Sequence, residues 1–170
     1  PKDGNPVYLD FYDQHWYAKV AIEASFKGQA TNLSLILKNE STADKVSKWV
    51  IVSAIADFLT IPSSNKDIFL PPNSDGTNFI GLTDALADKA NASAYATKEF
   101  YADPLTLFFF HLQAGNLQIG AVKKVAFHLL QVEGWAVVVE EFNETQPYSS
   151  GWLIANIQPI SDRKTYKEHY

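Results

Sequence analysis

Four aromatic side chains crowd the last part of the chain: Tyr148, Trp152, Tyr166 and Tyr170. The closing segment "DRKTYKEHY", Asp162 to Tyr170, sets two tyrosines four residues apart, the spacing that puts them on one face of a helix. Ser161 or Asp162 can cap that helix. A tyrosine supplies an apolar ring, a π face that attracts cations and a hydroxyl donor. Several together make the cage that holds quaternary ammonium groups such as choline. The same rings would also staple a terminal turn onto the body of the protein. Headgroup recognition and packing therefore both stay open for this segment.

No catalytic constellation competes with it. The histidines are His15, His111, His128 and His169, and none stands in a metal-ligand spacing such as H-E-x-x-H or H-x-x-x-H. His111 and His128 each follow a Phe and precede a Leu, on segments expected to be strands, so a cross-strand contact between them is conceivable. Two histidines still lack a third ligand, and a hydrogen-bonded structural role is the expected one. There is no G-x-S-x-G, no Gly-rich phosphate loop and no cysteine. Glu140 and Glu141 are adjacent, so on a strand they point to opposite faces. A non-enzyme is expected, with no metal and no cofactor.

The elements that must position the aromatics read as strands. "NLSLILKN" from Asn32 and "KWVIVSAIADFLTI" from Lys48 are apolar and β-branched, and Pro62 bounds the second. A short strand is expected at Asp67 to Leu70, then a loop through "LPPNSDGTN". From Leu82 to Phe100, Leu82, Leu86, Ala90 and Ala94 recur at helical spacing, so a short helix or ordered loop fits.

Beyond Pro104, "LTLFFFHLQ", "VKKVAFHLLQ", "WAVVVEEF" and "GWLIANIQP" read as four more strands. The link Val132-Glu133-Gly134 makes the middle two a hairpin. At the N-terminus, Val7, Leu9 and Phe11 alternate as in a strand, while Tyr8, Tyr12 and Trp16 would line a helix; both stay open. Strands at short intervals without alternating helices predict a mainly all-β fold. The expectation is one antiparallel β-sandwich domain over residues 1–170, with one or two short flanking helices.

Composition agrees with such a fold. The 170 residues suit one core, and 46% hydrophobic with 14% aromatic content favours half-buried pleated surfaces. A formal charge of −5 disfavours nucleic acid as a partner. No run of about 18 apolar residues offers a spanning helix. The chain has no methionine, an initiator included, as expected of a processed or trimmed N-terminus. Asn32, Asn39, Asn91 and Asn143 each head an N-x-Ser/Thr triplet, which tilts the expected localisation towards secretion.

The run "IGAVKKVAFHLLQVEGWAVVVEEFNETQPYSSGWLIANIQPISDRKTYKEHY", Ile119 to Tyr170, resembles the membrane-binding core of the actinoporins and their relatives, pore-forming cytolysins. Gly120-Ala121-Val122, Ala136-Val137, Tyr148-Ser149 followed by Trp152, and Asp162, Tyr166, Glu168 and Tyr170 at the end carry the likeness. The resemblance implies a compact β-sandwich with short flanking helices that binds a phosphocholine headgroup, with preference for sphingomyelin, and assembles on the membrane. It makes Tyr148, Ser149, Trp152, Tyr166 and Tyr170 candidate ligand contacts, and Pro147 and Trp152 candidates for a membrane-facing loop. This chain departs from that pattern in being acidic, and residues 1–30 do not read as an inserting helix.

Two other classes fit the same composition. One is a lectin-like sandwich in which Trp152 or Trp135 stacks on a glycan. The other is a protein-interaction or inhibitor module with an exposed apolar patch.

Overall fold

The computed structural model describes residues 8–10, 13–41, 47–60, 82–89, 92–97, 99–142 and 150–168. The strand expected at Asp67 to Leu70 and the loop after it lie outside these residues. In chain order the elements are β1 (Trp16–Phe26), β2 (Gln29–Ser41), β3 (Ser47–Ile55), a 3-10 turn (Asp57–Leu59), α1 (Leu82–Ala87) and a second 3-10 turn (Ala92–Tyr95). Then come α2 (Pro104–Gln113), β4 (Leu117–Leu129), β5 (Trp135–Phe142), β6 (Gly151–Pro159) and α3 (Arg163–Glu168). The chain divides into two compact units: Pro1–Leu59 with Pro104–Tyr170, and Thr60–Asp103. The smaller unit holds α1 and the second 3-10 turn, where the sequence predicts a short helix or ordered loop.

The larger unit carries the mainly β, antiparallel fold. Its strands form one six-stranded sheet in the order β3-β2-β1-β4-β5-β6. Of the N-terminal stretch left open between helix and strand, Trp16 begins β1, a strand paired on both sides, whereas residues 8–10 and 13–15 belong to neither a helix nor a strand and Val7, Phe11 and Tyr12 lie outside the described residues. β1 and β2 close a two-residue hairpin at Lys27 and Gly28, whose φ values of 51° and 80° give the turn that matches strand twist. Gly28 accepts that angle without a Cβ penalty. The expected hairpin through Val132 to Gly134 is present, with β4 and β5 paired from Ala126↔Glu140 to Leu129↔Val137.

"LTLFFFHLQ", read from its aromatics as a strand, is helix α2 instead. Local signals at its ends outweigh the β preference of its middle. Pro104 occupies the first helical position, where its fixed φ and missing N–H do no harm. At the other end Gly115 takes a φ of 73°, and the N–H of Asn116 donates to the carbonyl of His111 at 3.0 Å, closing the helix with a left-handed cap. Where a second facing sheet is expected, all six described strands share one sheet, and α2 with the first 3-10 turn covers part of one face.

Alternation along β1 divides the core between two faces. On the first face Ile22 and Ala24 join Leu33, Leu35, Ala54, Leu59, Phe108 and Leu117 in the main buried cluster. Leu33 is essentially inaccessible, a burial that stabilises by about 2 kcal/mol. On the second face Tyr17, Ile36, Leu130 and Ala136 form a smaller cluster, against which Ile160 and Tyr166 pack.

Candidate functional site

The main cluster fills only one end of the first face. Towards the other end the same face carries a row of rings contributed by four strands. Trp49 of β3 meets Trp16 of β1 edge-on at 5.5 Å between centroids, Trp16 meets Phe127 of β4 at 5.7 Å, and Phe127 meets Trp152 of β6 at 5.1 Å. Register explains the row: Ala18 pairs with Phe127, Phe127 with Val139, and Glu141 with Trp152, so these side chains share a face. The tilted and edge-on geometry is the favourable one for aromatic pairs.

Trp16, Phe127 and Trp152 line a concavity of about 480 Å3, with Leu9, Leu129 and Val139 as its aliphatic walls. Asp10 and Gln131 complete the lining. The Asp10 N–H donates to Gln131 Oε1 at 2.7 Å, and Gln131 Nε2 donates to the Asp10 carbonyl at 2.7 Å. Those polar atoms are thus engaged with each other. Trp152 remains 49% exposed, and Trp135, Ile154 and Ile157 extend an exposed apolar surface along the same face of β5 and β6.

Tyr166 is held on the opposite face. Asp162 caps its helix: Oδ1 accepts from the N–H groups of Lys164 and Thr165 at 2.8 Å each, and Oδ2 accepts from the Thr165 hydroxyl at 2.6 Å. Those bonds, the Thr165 hydroxyl foremost, hold the Asp162 carboxyl below its ordinary range. The Tyr166 ring packs on the Tyr17, Ile36, Leu130 and Ala136 cluster, and its hydroxyl lies 3.0 Å from His128 Nδ1. Burial raises the phenol's pKa, and a hydrogen bond with Gln158 opposes that.

Burial, then the Lys19 ammonium, pushes the His128 imidazole down to about 4, with Glu140 opposing. A neutral ring is the form that suits this half-buried position. Lys167 lies over the Tyr17 ring at 4.6 Å, adding a cation–π contact to the docked helix.

The sequence-derived site residues therefore separate. Trp152 opens on the concavity of the first face and Tyr166 docks on the second, so one cage does not hold both. Pro147, Tyr148, Ser149 and Tyr170 lie outside the described residues. The suggested cross-strand contact of His111 with His128 does not occur, because His111 belongs to α2 and sets its ring against Phe26 at 4.9 Å. Glu140 and Glu141 do diverge, Glu140 to an ion pair with Lys124 at 2.8 Å and Glu141 to the face of Trp152.

Of the four sequon asparagines, Asn39 is only 5% exposed within β2, closed to any glycan, whereas Asn32 is exposed. Among the described residues no group of three or more His, Cys, Asp or Glu is placed to hold a metal ion, and no helix is long and apolar enough to cross a membrane.

Sequence reasoning missed Trp16 and Phe127 as site residues. The signal for Trp16 is the alternation W-x-A-x-V-x-I-x-A-x-F along β1, but only the β1–β4 register brings Phe127 beside it. Comparison with family models, with curated proteins and with solved structures finds no match to this chain.

Proposed function

We propose that this chain is a non-enzymatic, membrane-active protein that binds lipid of the phosphocholine type, with the aromatic concavity of the first face as its recognition surface. The observation that carries the reading is the run of rings from Trp16 through Phe127 to Trp152, open to solvent at Trp152. Aromatic faces attract a quaternary ammonium group, and the aliphatic walls at Leu129 and Val139 suit its methyl groups and the methylenes beyond. Half-exposed tryptophans with neighbouring isoleucines also suit the boundary between headgroups and acyl chains.

The resemblance of residues 119–170 to the actinoporin core supports the same ligand class. In this reading Trp152 makes the contact, and Tyr166 holds α3 on the opposite face. Roles for Pro147, Tyr148, Ser149 and Tyr170 rest on the resemblance alone. Secretion is the matching localisation, since phosphocholine lipids present themselves at an outer membrane surface.

A lectin-like reading has one observation of its own: Trp135 and Trp152 are both half exposed on the same face of neighbouring strands, as flat rings for a sugar. Sugars also need hydrogen-bonding partners beside the ring; in the lining of the concavity the Gln131 carboxamide is engaged with the Asp10 backbone and the other walls are aromatic and aliphatic, which favours lipid.

Sedimentation with sphingomyelin–phosphatidylcholine vesicles tests the reading. Wild type is expected to co-sediment, Trp152→Ala to lose most binding, and soluble glycans to leave wild-type binding unchanged. Equal binding by Trp152→Ala and wild type removes the site from the account.

A further inference from the structure

We propose that Gln131 is the positioning residue of the concavity, its carboxamide fixing residues 8–10 as the wall against which the alkyl part of a bound amphipath packs; this rests on the lipid-binding reading. Gln131 follows the end of β4, beyond the last ladder pair, Leu129↔Val137. Its side chain takes over the work of a strand there. One amide group accepts from the N–H and donates to the carbonyl of the same residue, Asp10, at 2.7 Å each, across 121 positions of chain. This is the donor–acceptor pair that a neighbouring strand would offer.

The backbone beneath that side chain is itself anchored. The Leu130 N–H donates to the His15 carbonyl at 2.9 Å, and Arg163 Nη2 of α3 donates to the Gln131 carbonyl at 3.3 Å. Gln131 is therefore fixed from below while its amide holds Asp10 from the side. What it holds is the peptide that carries Leu9 into the concavity, a side chain 49% exposed and lining the same space as Trp152. Tyr8, which precedes Leu9, is 82% exposed, and the Asp10 carbonyl also accepts from the Asp13 N–H at 3.2 Å. Hydrogen bonds at an exposed rim contribute little to global stability, yet they decide whether a local segment is ordered. A pre-formed wall spares the ligand that ordering on binding.

The test uses the full chain and dodecylphosphocholine below its micelle concentration, read by tryptophan fluorescence, with hydrogen exchange at the Asp10 amide and thermal unfolding alongside. Gln131→Leu keeps the bulk and removes both bonds. It is expected to bind about 3–10-fold more weakly, as the loss of one or two such bonds implies. The Asp10 amide is expected to lose protection while Tm holds. Gln131→Glu keeps the acceptor but turns a carboxylate oxygen on the Asp10 carbonyl, and is expected to bind at least as weakly as the Leu variant.

Wild-type affinity in both variants overturns the inference, whether or not the Asp10 amide is freed. So does a weakened affinity that comes with a Tm lowered by several degrees, which marks a merely structural residue. Trp152→Ala keeps the two claims apart: it is expected to abolish binding with Asp10 still protected. If wild type itself binds no dodecylphosphocholine, the lipid reading fails and the role of the wall fails with it.

Discussion

The two faces of one sheet use aromatic residues to opposite ends. On the second face Tyr166 has its ring on Tyr17, Leu130 and Ala136, its hydroxyl at His128 and its helix capped by Asp162. On the first face Trp152 stands on the edge strand β6, touches Phe127 with its ring and keeps half its surface in water. The difference lies in the surroundings rather than in the residue type. A ring becomes an anchor where the hydroxyl finds a partner and the backbone is capped; it stays half exposed where, among the described residues, it stands on the last strand of the sheet.

Phe108→Ala should uncover the filled end of the first face and lower the unfolding free energy in urea by about 3–5 kcal/mol, through lost transfer energy and a cavity. Tyr166→Ala should undock α3 from the second face for about 2 kcal/mol, and Tyr166→Phe, which keeps the ring, for about 1 kcal/mol. Neither Tyr166 variant should alter vesicle binding measured at a protein concentration and temperature where it is folded.

Acid should weaken the second face before the first. The folded pKa of His128, about 4, lies below its ordinary 6.5, so the unfolded chain takes up the proton first. Its contribution is whole above pH 6.5 and is lost as pH falls from 6.5 to about 4. After discounting for the water that reaches this half-buried ring, the loss is about 1–2 kcal/mol. Urea unfolding at pH 7 and pH 4.5 should show that loss, and His128→Gln should flatten the part due to this residue. The smallest effect belongs to Asp162→Ala, which should fray α3 and lower helix content by circular dichroism while leaving the first face intact.

The anchor was more legible in the sequence than the concavity. A capped terminal helix carrying Tyr166 follows from residue type and local spacing; of Ser161 and Asp162, Asp162 is the cap, and of the two readings of Tyr166 its ring takes the packed one. The hairpin at Val132 to Gly134 was equally local. The segment of α2 reads as a strand because Phe108, Phe109 and Phe110 favour one, although Pro104 and Gly115 carry the helix boundaries. The concavity depends on pairing between β1 and β4, whose partners Ala18 and Phe127 are far apart in the chain. Alternation says which residues share a face of one strand, but not which strand lies beside it.

The most direct measurement is quenching of tryptophan fluorescence by vesicles of brominated phosphatidylcholine, in wild type, Trp152→Ala and Tyr166→Ala. The account predicts strong quenching in wild type and in Tyr166→Ala, and its loss in Trp152→Ala, measured where the Trp152 variant is folded, since loss of a half-buried ring and its contact with Phe127 is expected to lower stability by about 1–2 kcal/mol. Quenching that survives Trp152→Ala but disappears in folded Tyr166→Ala would contradict it and move the recognition surface to the face of α3.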